Sequence, residues 1–135
     1  MSFVYALDTN ILSFFLREDK TVTTRIRNIL LAGHTLIIPP IVYYEVRRGL
    51  LVKDARKQTV AFNNFCKHIP IGKITVSMLD EAAGIYAGQR GSRQTIGDAD
   101  TLIAAFCIAN DYTLITKNTK HFSHIQGLKL ADWTY

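Results

Sequence analysis

Short apolar runs alternate with longer helical stretches from one end of this chain to the other. The runs that predict strands are residues 3–7, 36–38, 113–116 and 128–130, and residues 69–76 predict a further strand or sheet edge. Apolar periodicity predicts helices at residues 9–16, 20–32, 39–50, 53–68, 77–89 and 98–110. This alternation favours a parallel sheet with helices on both faces and right-handed crossovers. The expected fold class is therefore α/β, with a central, mainly parallel sheet of roughly four to five short strands.

Local signals mark several of the predicted helix ends. Gly33 is placed to stop the second helix. Pro39 and Pro40 open the third helix, where a proline in the first turn forfeits no hydrogen bond. Ser77 is predicted to cap the fifth helix, with Asp80 supplying the acid three residues later.

The size and composition of the chain fit one globular domain spanning residues 1–135. Its 135 residues are 48% hydrophobic and 20% charged, which suffices for one core but not for two. No segment approaches the roughly 18 apolar residues that span a bilayer, and the N-terminus lacks a basic leader, so a cytoplasmic protein is expected. Cys66 and Cys107 lack the spacing of a zinc site or a disulfide framework and are expected to be small buried groups.

Four acidic residues occupy positions where a solvated surface would not place them. Asp8 directly follows the first apolar run, and Glu45 interrupts the apolar arc of its predicted helix. Asp98 and Asp100 open a helix that has no polar face. Carboxylates held at the edge of a core are costly unless a cation neutralises them. The four acids therefore predict a site for a divalent metal.

Each of these carboxylates also has an ordinary structural interpretation. Asp8 before a helix is equally typical of an N-cap. Glu45 and Arg48 have the spacing of a surface ion pair worth about 0.2–0.5 kcal/mol. Asp98 and Asp100 diverge by about 200° around the helix and cannot both cap the same amides. We predict Asp8, Glu45 and Asp100 as metal ligands and catalytic residues, with Asp98 as a cap or supporting residue.

The predicted sheet brings further polar residues to the same place. Asp8 follows the first strand, and Thr116 and Asn118 come at the end of the strand at 113–116. Because ligands bind at the carboxyl edge of a parallel sheet, both segments should reach one rim. Oxygen ligands without histidine favour Mg²⁺ or Mn²⁺, ions suited to activating water and orienting a phosphodiester. No nucleophilic side chain with an adjacent base is visible.

Basic residues point to an anionic partner. The net charge is +5, and a cation bound by the acidic residues would leave the remaining surface more basic still, which favours nucleic acid. The candidate RNA-binding residues are Arg47, Arg48, Lys53, Arg56, Lys57, Arg90 and Arg93, the last two in a predicted flexible loop at residues 88–95. A merely solvated basic face explains them equally well. The histidines show no catalytic spacing and are expected on the surface or in loops.

Five segments together resemble the PIN-domain ribonucleases of the VapC toxin family. They are YALDTNILS at 5–13, YYEVRRGL at 43–50, IGDADTLIAA at 96–105, ITKNTKHF at 115–122 and GLKLADW at 127–133. No single segment is specific, but their order and spacing match the family from end to end.

The resemblance implies a PIN-like α/β/α sandwich and cleavage of structured RNA, of the tRNA or rRNA class, with Mg²⁺ or Mn²⁺. It also implies a homodimer, and inhibition by a cognate antitoxin that inserts a segment near the acidic pocket. Asp8, Glu45 and Asp100 match the family's first three acidic positions, and Thr9 and Asn10 match its polar residues beside the first aspartate. The fourth acidic position of many members falls at a neutral residue, Asn118, where Asp98 is the candidate to compensate. Thr116 and Asn118, like Thr9, Asn10 and Asp98, are expected to support the metal ligands rather than to bind the metal themselves.

Two other functions remain open on the sequence. A non-catalytic RNA- or partner-binding module of the same fold would bind RNA without cleaving it. A receiver-like phosphoacceptor domain is suggested by an acid near the first strand and by Lys117 after a later one. That interpretation lacks its phosphorylatable aspartate, because Ser77 follows the segment at 69–76.

Overall fold

The computed structural model describes residues 3–92 and 95–135 of the chain. Within them the elements follow in the order β1 (Val4–Leu7), α1 (Thr9–Leu16), α2 (Lys20–Leu31), β2 (Thr35–Ile37), α3 (Pro40–Lys53), α4 (Arg56–His68), α5 (Val76–Gln89), α6 (Asp98–Asn110), β3 (Thr113–Ile115), α7 (Thr119–Phe122) and β4 (Lys129–Ala131). No helix in these two ranges is long and apolar enough to cross a bilayer.

The four strands form one parallel sheet in the order β2-β1-β3-β4. In the register, Ala6 of β1 pairs with Ile37 on one side and with Leu114 on the other. Ala6, Leu7 and Leu114 have no exposed surface, as expected of strands covered on both faces. The predicted fold class, a parallel sheet of short strands flanked by helices, is confirmed. The carboxyl ends of β1 and β3 lie side by side.

Helix α6 lies inside the molecule, as its lack of a polar face predicts. Ile103, Ala104, Ala105 and Cys107 are fully buried, and Phe106 is nearly so. A helix that is apolar all round is buried all round, and its position is then set by the elements that cover it. The first turn of α6, which carries the acids, is therefore held firmly against the core.

Residues 69–76, predicted as a strand or sheet edge, do not form a strand; they contribute a single parallel bridge, between Ile71 and Ile38. Ile38 N donates to Pro70 O at 2.9 Å, and Gly72 N donates to Ile38 O at 2.8 Å. The next donors in such a ladder would be the amides of residues 70 and 40, and both are proline. Two missing N–H groups therefore stop the pairing after one residue.

Several predicted helix ends also shift. The cap of α5 is Thr75, whose hydroxyl accepts from Met78 N at 3.1 Å, so Ser77 lies inside the first turn and does not cap. Asp54, in the left-handed region at φ 47°, ends α3, and α4 begins at Arg56 rather than at residue 53. The polar turn after β3 contains the short helix α7. The strand predicted at 128–130 lies one residue later.

Candidate active site

Asp8 joins the end of β1 to the start of α1. Its backbone N donates to Ile115 O at 2.9 Å, which ties it to β3, and its side chain caps α1 by accepting from Thr9 N at 2.8 Å. Thr116 Oγ1 donates to the other carboxylate oxygen at 2.7 Å. Asp8 is only 5% exposed. Asp8 is thus the N-cap of α1, as the ordinary interpretation predicted. A single capping bond does not, however, explain why the carboxylate is so deeply buried.

The surroundings of Asp8 oppose its ionisation. Burial is the main cause that raises the pKa of its carboxyl, and the negative charges of Asp100 and Glu45 raise it further. The hydrogen bonds from Thr116 and Thr9 lower the pKa of Asp8 and offset part of this effect. The carboxylate of Asp8, which follows β1, is therefore influenced by the charges of Glu45 on α3 and Asp100 on α6.

Glu45 has two partners near the amino half of α3. Thr9 Oγ1 donates to its Oε1 at 2.7 Å, and Arg48 lies 3.6 Å from its Oε2. The Glu45 side chain is 18% exposed and that of Arg48 is 56% exposed. The surface ion pair predicted as the ordinary interpretation is present. It does not explain the short bond to Thr9, which links Glu45 to the residue beside Asp8.

Asp100 lies in the first turn of α6, and its Oδ2 is 2.9 Å from His121 Nε2. The cap of α6 is Gly97, so Asp98 is the first helical residue rather than the cap, and its side chain is exposed. Asp100 lines an open cavity of about 620 Å³ together with Lys117, Asn118, Thr119, Lys120, His121 and Asp132.

Thr116 is the centre of a small hydrogen-bond network at the end of β3. It is fully buried, and its hydroxyl accepts from Asn118 N at 3.1 Å and from Asn10 Nδ2 at 3.5 Å. Asn10 Oδ1 in turn accepts from Lys117 N at 3.2 Å. The network orients the hydroxyl of Thr116 so that its proton points to Asp8.

The donor chemistry of this site fits a hard divalent ion. A cation would stabilise a buried carboxylate beside two like charges, and oxygen donors are those that Mg²⁺ and Mn²⁺ prefer. Each carboxylate oxygen has two lone pairs, so the hydrogen bonds leave acceptor sites free. In the two described stretches of the chain, no three acidic, histidine or cysteine side chains stand close enough to hold one ion. The residues fit in charge and donor type, and their side chains must move closer to one another to share an ion.

The predicted RNA-binding residues fall into different environments. Arg47 packs between helices: its guanidinium lies 4.9 Å from the Phe62 ring centroid and donates to Asn63 Oδ1 at 2.8 Å. Arg48 pairs with Glu45, and Lys57 lies 3.6 Å from Glu18 Oε1. Exposed Lys53, Arg56 and Arg90 complete the set within the described residues, and Arg93 lies outside them.

Several residues of the cavity were not among the metal-site or RNA-binding residues predicted from the sequence, His121, Lys117 and Lys120 in particular. His121 was expected to be an ordinary surface histidine, yet it bonds Asp100. Lys117 and Lys120 line the same cavity. The available signal was their place in the segment at 115–122, next to Asn118. It was weak because a four-residue helix is hard to recognise in a polar turn.

Comparison with known proteins relates the chain to one family. The sequence model of the PIN domain family matches residues 5–128. The chain is 27% identical to Ribonuclease VapC2 of Rickettsia felis, an alignment that covers 96% of this chain and 98% of that protein. It is 26% identical to the tRNA(fMet)-specific endonuclease VapC of Shigella flexneri, with the same coverage.

A solved structure has the same fold. The chain superposes on a chain in the crystal structure of VapBC2 from Rickettsia felis bound to a DNA fragment from their promoter, with a TM-score of 0.88. The two are 25% identical, and the match covers 96% of this chain and 98% of the other. The likeness of fold therefore extends over nearly the whole length of both chains.

Proposed function

This chain belongs to the PIN domain family, and on that premise we propose that it is a metal-dependent endoribonuclease that acts as the toxin of a toxin–antitoxin pair. One observation carries the proposal: Asp8 is buried at the end of a central strand while Asp100 and Glu45 add negative charge around it. Such a cluster is costly without a cation. The relatives named as a ribonuclease and an endonuclease support the same activity.

In this proposal Asp8, Glu45 and Asp100 are the metal ligands and catalytic residues. When bound, Mg²⁺ or Mn²⁺ supplies Lewis acidity that makes water a stronger nucleophile and offsets charge developing on the phosphate. Thr9 and Thr116 hold the carboxylates of Glu45 and Asp8 by hydrogen bonds of 2.7 Å each. These bonds lower the entropy lost when the carboxylates are fixed around an ion.

The remaining predicted supporting residues act around this centre. Asn10 fixes Lys117 N and approaches Thr116, which keeps the turn after β3 close to α1. Asn118 lines the cavity beside Asp100 with a neutral side chain that can donate to a phosphate oxygen. Exposed Asp98 adds negative charge at the start of α6 without a bond to the three ligands among the described contacts.

The proposed substrate is structured RNA of the tRNA or rRNA class. One relative is named for a tRNA, which supports this class. Lys117 and Lys120 line the cavity that contains Asp100, so a phosphate bound there meets positive charge beside the acids.

The proposed protein partners are a cognate antitoxin and a second copy of the chain. A related fold was solved as a VapBC complex, which supports the antitoxin. A groove of about 280 Å³, lined in part by Thr9, Glu45 and Lys53, offers an inhibitory segment a place next to the acids. For the homodimer, the support is an apolar stripe on α5, where Val76, Leu79 and Tyr86 are 73%, 47% and 66% exposed.

Substitution of the ligands tests the activity. Asp8→Asn and Asp100→Asn should each abolish cleavage of RNA in the presence of Mg²⁺ or Mn²⁺, with the fold retained by circular dichroism. Asp98→Asn should reduce cleavage only a few-fold, because exposed Asp98 bonds none of the three ligands within the described residues and acts on a bound ion only through its screened charge. Asp80→Asn, an exposed acid on α5, is the charge-matched control and should cleave normally. The ends of the RNAs cut after induction would identify the target.

Two results would contradict the proposal. Cleavage retained in Asp8→Asn or Asp100→Asn would refute the assigned ligands. The second result is a wild-type protein that binds RNA but yields no product, whether Mg²⁺, Mn²⁺ or chelator is added. That result would identify a non-catalytic binding module instead.

A further inference from the structure

His121 makes a contact that its exposed position does not require. Its Nε2 lies 2.9 Å from Asp100 Oδ2, and the two side chains are 42% and 36% exposed. The imidazole ring packs edge-on against Phe122 at 5.3 Å, and Phe122 is 1% exposed. The backbone N of His121 donates to Asn118 O at 3.0 Å. The imidazole ring therefore packs against the buried Phe122, and its Nε2 faces Asp100 in the first turn of α6.

The contact completes a pattern among the three acids of the site. Thr116 donates to Asp8, and Thr9 donates to Glu45, in both cases at 2.7 Å. For Asp100, His121 occupies the place that a threonine hydroxyl has at the other two acids. Each acid thus has a side-chain partner that comes from a different element of the fold. Carboxylates that bind metals are held in this way, and the partner sets which lone pairs remain for the ion.

We propose that His121 is a positioning residue for Asp100. Its Nε2–H donates to Oδ2 and fixes the carboxylate, so that the free lone pairs of Asp100 face the other two acids. The inference rests on the proposed function of the site, because it assigns Asp100 a metal to bind. The competing interpretation is a solvent-exposed ion pair, which contributes little to stability and has no effect on metal binding.

Metal affinity measured without RNA tests the proposal. Mn²⁺ binding to the whole chain can be followed by the electron paramagnetic resonance of free Mn²⁺ or by calorimetry. His121→Ala should weaken Mn²⁺ binding by about 10 to 100-fold, as expected when the partner of a ligand is lost. His68→Ala, an exposed histidine at the end of α4, is the matched control and should bind like the wild type.

Two further variants test the geometry. The amide nitrogen of glutamine reaches the position of Nε2, whereas that of asparagine reaches only Nδ1. His121→Gln should therefore restore Mn²⁺ affinity to within a few-fold of the wild type, and His121→Asn should bind as weakly as His121→Ala. With chelator present, the wild type and the three His121 variants should unfold at similar temperatures. Adding Mn²⁺ should raise the Tm less in His121→Ala and His121→Asn than in the wild type and His121→Gln. A purely structural role would not separate glutamine from asparagine.

The possible results distinguish a failure of the role proposed for His121 from a failure of the metal-dependent function proposed for the site. If Asp100→Asn abolishes Mn²⁺ binding while His121→Ala binds as well as the wild type, only the role of His121 is refuted. Tighter binding by His121→Ala refutes it as well, because the contact would then hold Asp100 away from the ion. A wild-type protein that binds no Mn²⁺ overturns both the inference and the metal-dependent function.

Discussion

Asp8 is more deeply buried than a capping residue needs to be. Burial and two neighbouring carboxylates raise its pKa, while Thr116 and Thr9 act in the opposite direction. Replacing Asp8 by a neutral residue removes a charge that the metal-free fold tolerates poorly. This is the conflict expected of a site that is arranged for a ligand rather than for stability.

The pKa of Asp8 predicts how the stability of the metal-free protein varies with pH. The folded-state pKa lies above that of the unfolded chain, so the folded protein binds the proton more tightly. The free energy of unfolding therefore falls as the pH rises from the unfolded value through the folded pKa. Asp8→Asn cannot ionise, so it should remove this pH-dependent fall in the free energy of unfolding. With chelator present, the variant should be more stable than the wild type near neutral pH, and the difference should shrink as the pH falls toward the usual aspartate pKa.

Urea unfolding at several pH values measures this difference. Asp80→Asn should show no comparable change, because that side chain is exposed. A variant that is less stable than the wild type at neutral pH would mean that the bonds from Thr9 and Thr116 outweigh the cost of the buried charge.

At this scale, the sequence could indicate which acids are unusual but not what holds them. Asp8, Glu45 and Asp100 stand out because each interrupts an apolar pattern. The hydrogen bond of His121 could not be anticipated, since the histidine lies 21 residues after Asp100 in a turn without periodicity. Arg47 shows the opposite case. It resembles its basic neighbours in sequence, but its contacts with Phe62 and Asn63 make it a packing residue.

At the scale of elements, periodicity located the helices and the buried strands, and local chemistry decided their ends. The apolar pattern of residues 69–76 predicts a strand, yet Pro40 and Pro70 remove the N–H groups that a longer ladder needs. The prolines are visible in the sequence, but the pairing partner of this segment is not. The extent of the strand therefore depends on a tertiary contact, Ile38 against Ile71, that periodicity does not identify.

Gly72 shows how closely this segment crosses α6. A Cβ added at Gly72 would lie 2.3 Å from Cζ of Phe106, which is 2% exposed. Gly72→Ala should therefore destabilise the protein by about 1–3 kcal/mol through overpacking. Phe106→Leu creates space at the same contact, so adding it to Gly72→Ala should cost less than the sum of the two single changes. Urea unfolding of the three variants gives the coupling energy.

Gly84 provides the matched control for this cycle. It lies in α5, and an added Cβ there would meet nothing within 4 Å. Gly84→Ala should therefore be neutral or stabilise by up to about 1 kcal/mol, since alanine is favoured over glycine in a helix. Strictly additive effects of Gly72→Ala and Phe106→Leu would show that the backbone moves aside and that the contact does not fix the segment.

At the scale of the whole molecule, charge is distributed unevenly around the site. The net charge is +5 although Asp8, Glu45 and Asp100 contribute negative charge near the edge of the sheet, so the rest of the molecule carries a larger net positive charge. Most of the candidate RNA-binding residues named from the sequence lie on α3 and α4, Arg56 and Lys57 among them, where a merely solvated basic face is the equal alternative. The fold places two other lysines, Lys117 and Lys120, around the cavity that contains Asp100. The two sets lie on different elements, so their contributions can be measured separately.

The salt dependence of RNA binding distinguishes these two sets of basic residues. A labelled tRNA titrated in chelator reports binding without cleavage. Binding weakens as salt rises, so log K against log salt has a negative slope. Replacing Lys117 and Lys120 by glutamine should make this slope shallower, by roughly 0.7 to 0.9 for each lost phosphate contact. The same replacement of Arg56 and Lys57 matches the change in charge. It should have a smaller effect, because Lys57 already lies 3.6 Å from Glu18. If the second pair changes the slope and the first does not, RNA follows the helices rather than the cavity beside Asp100.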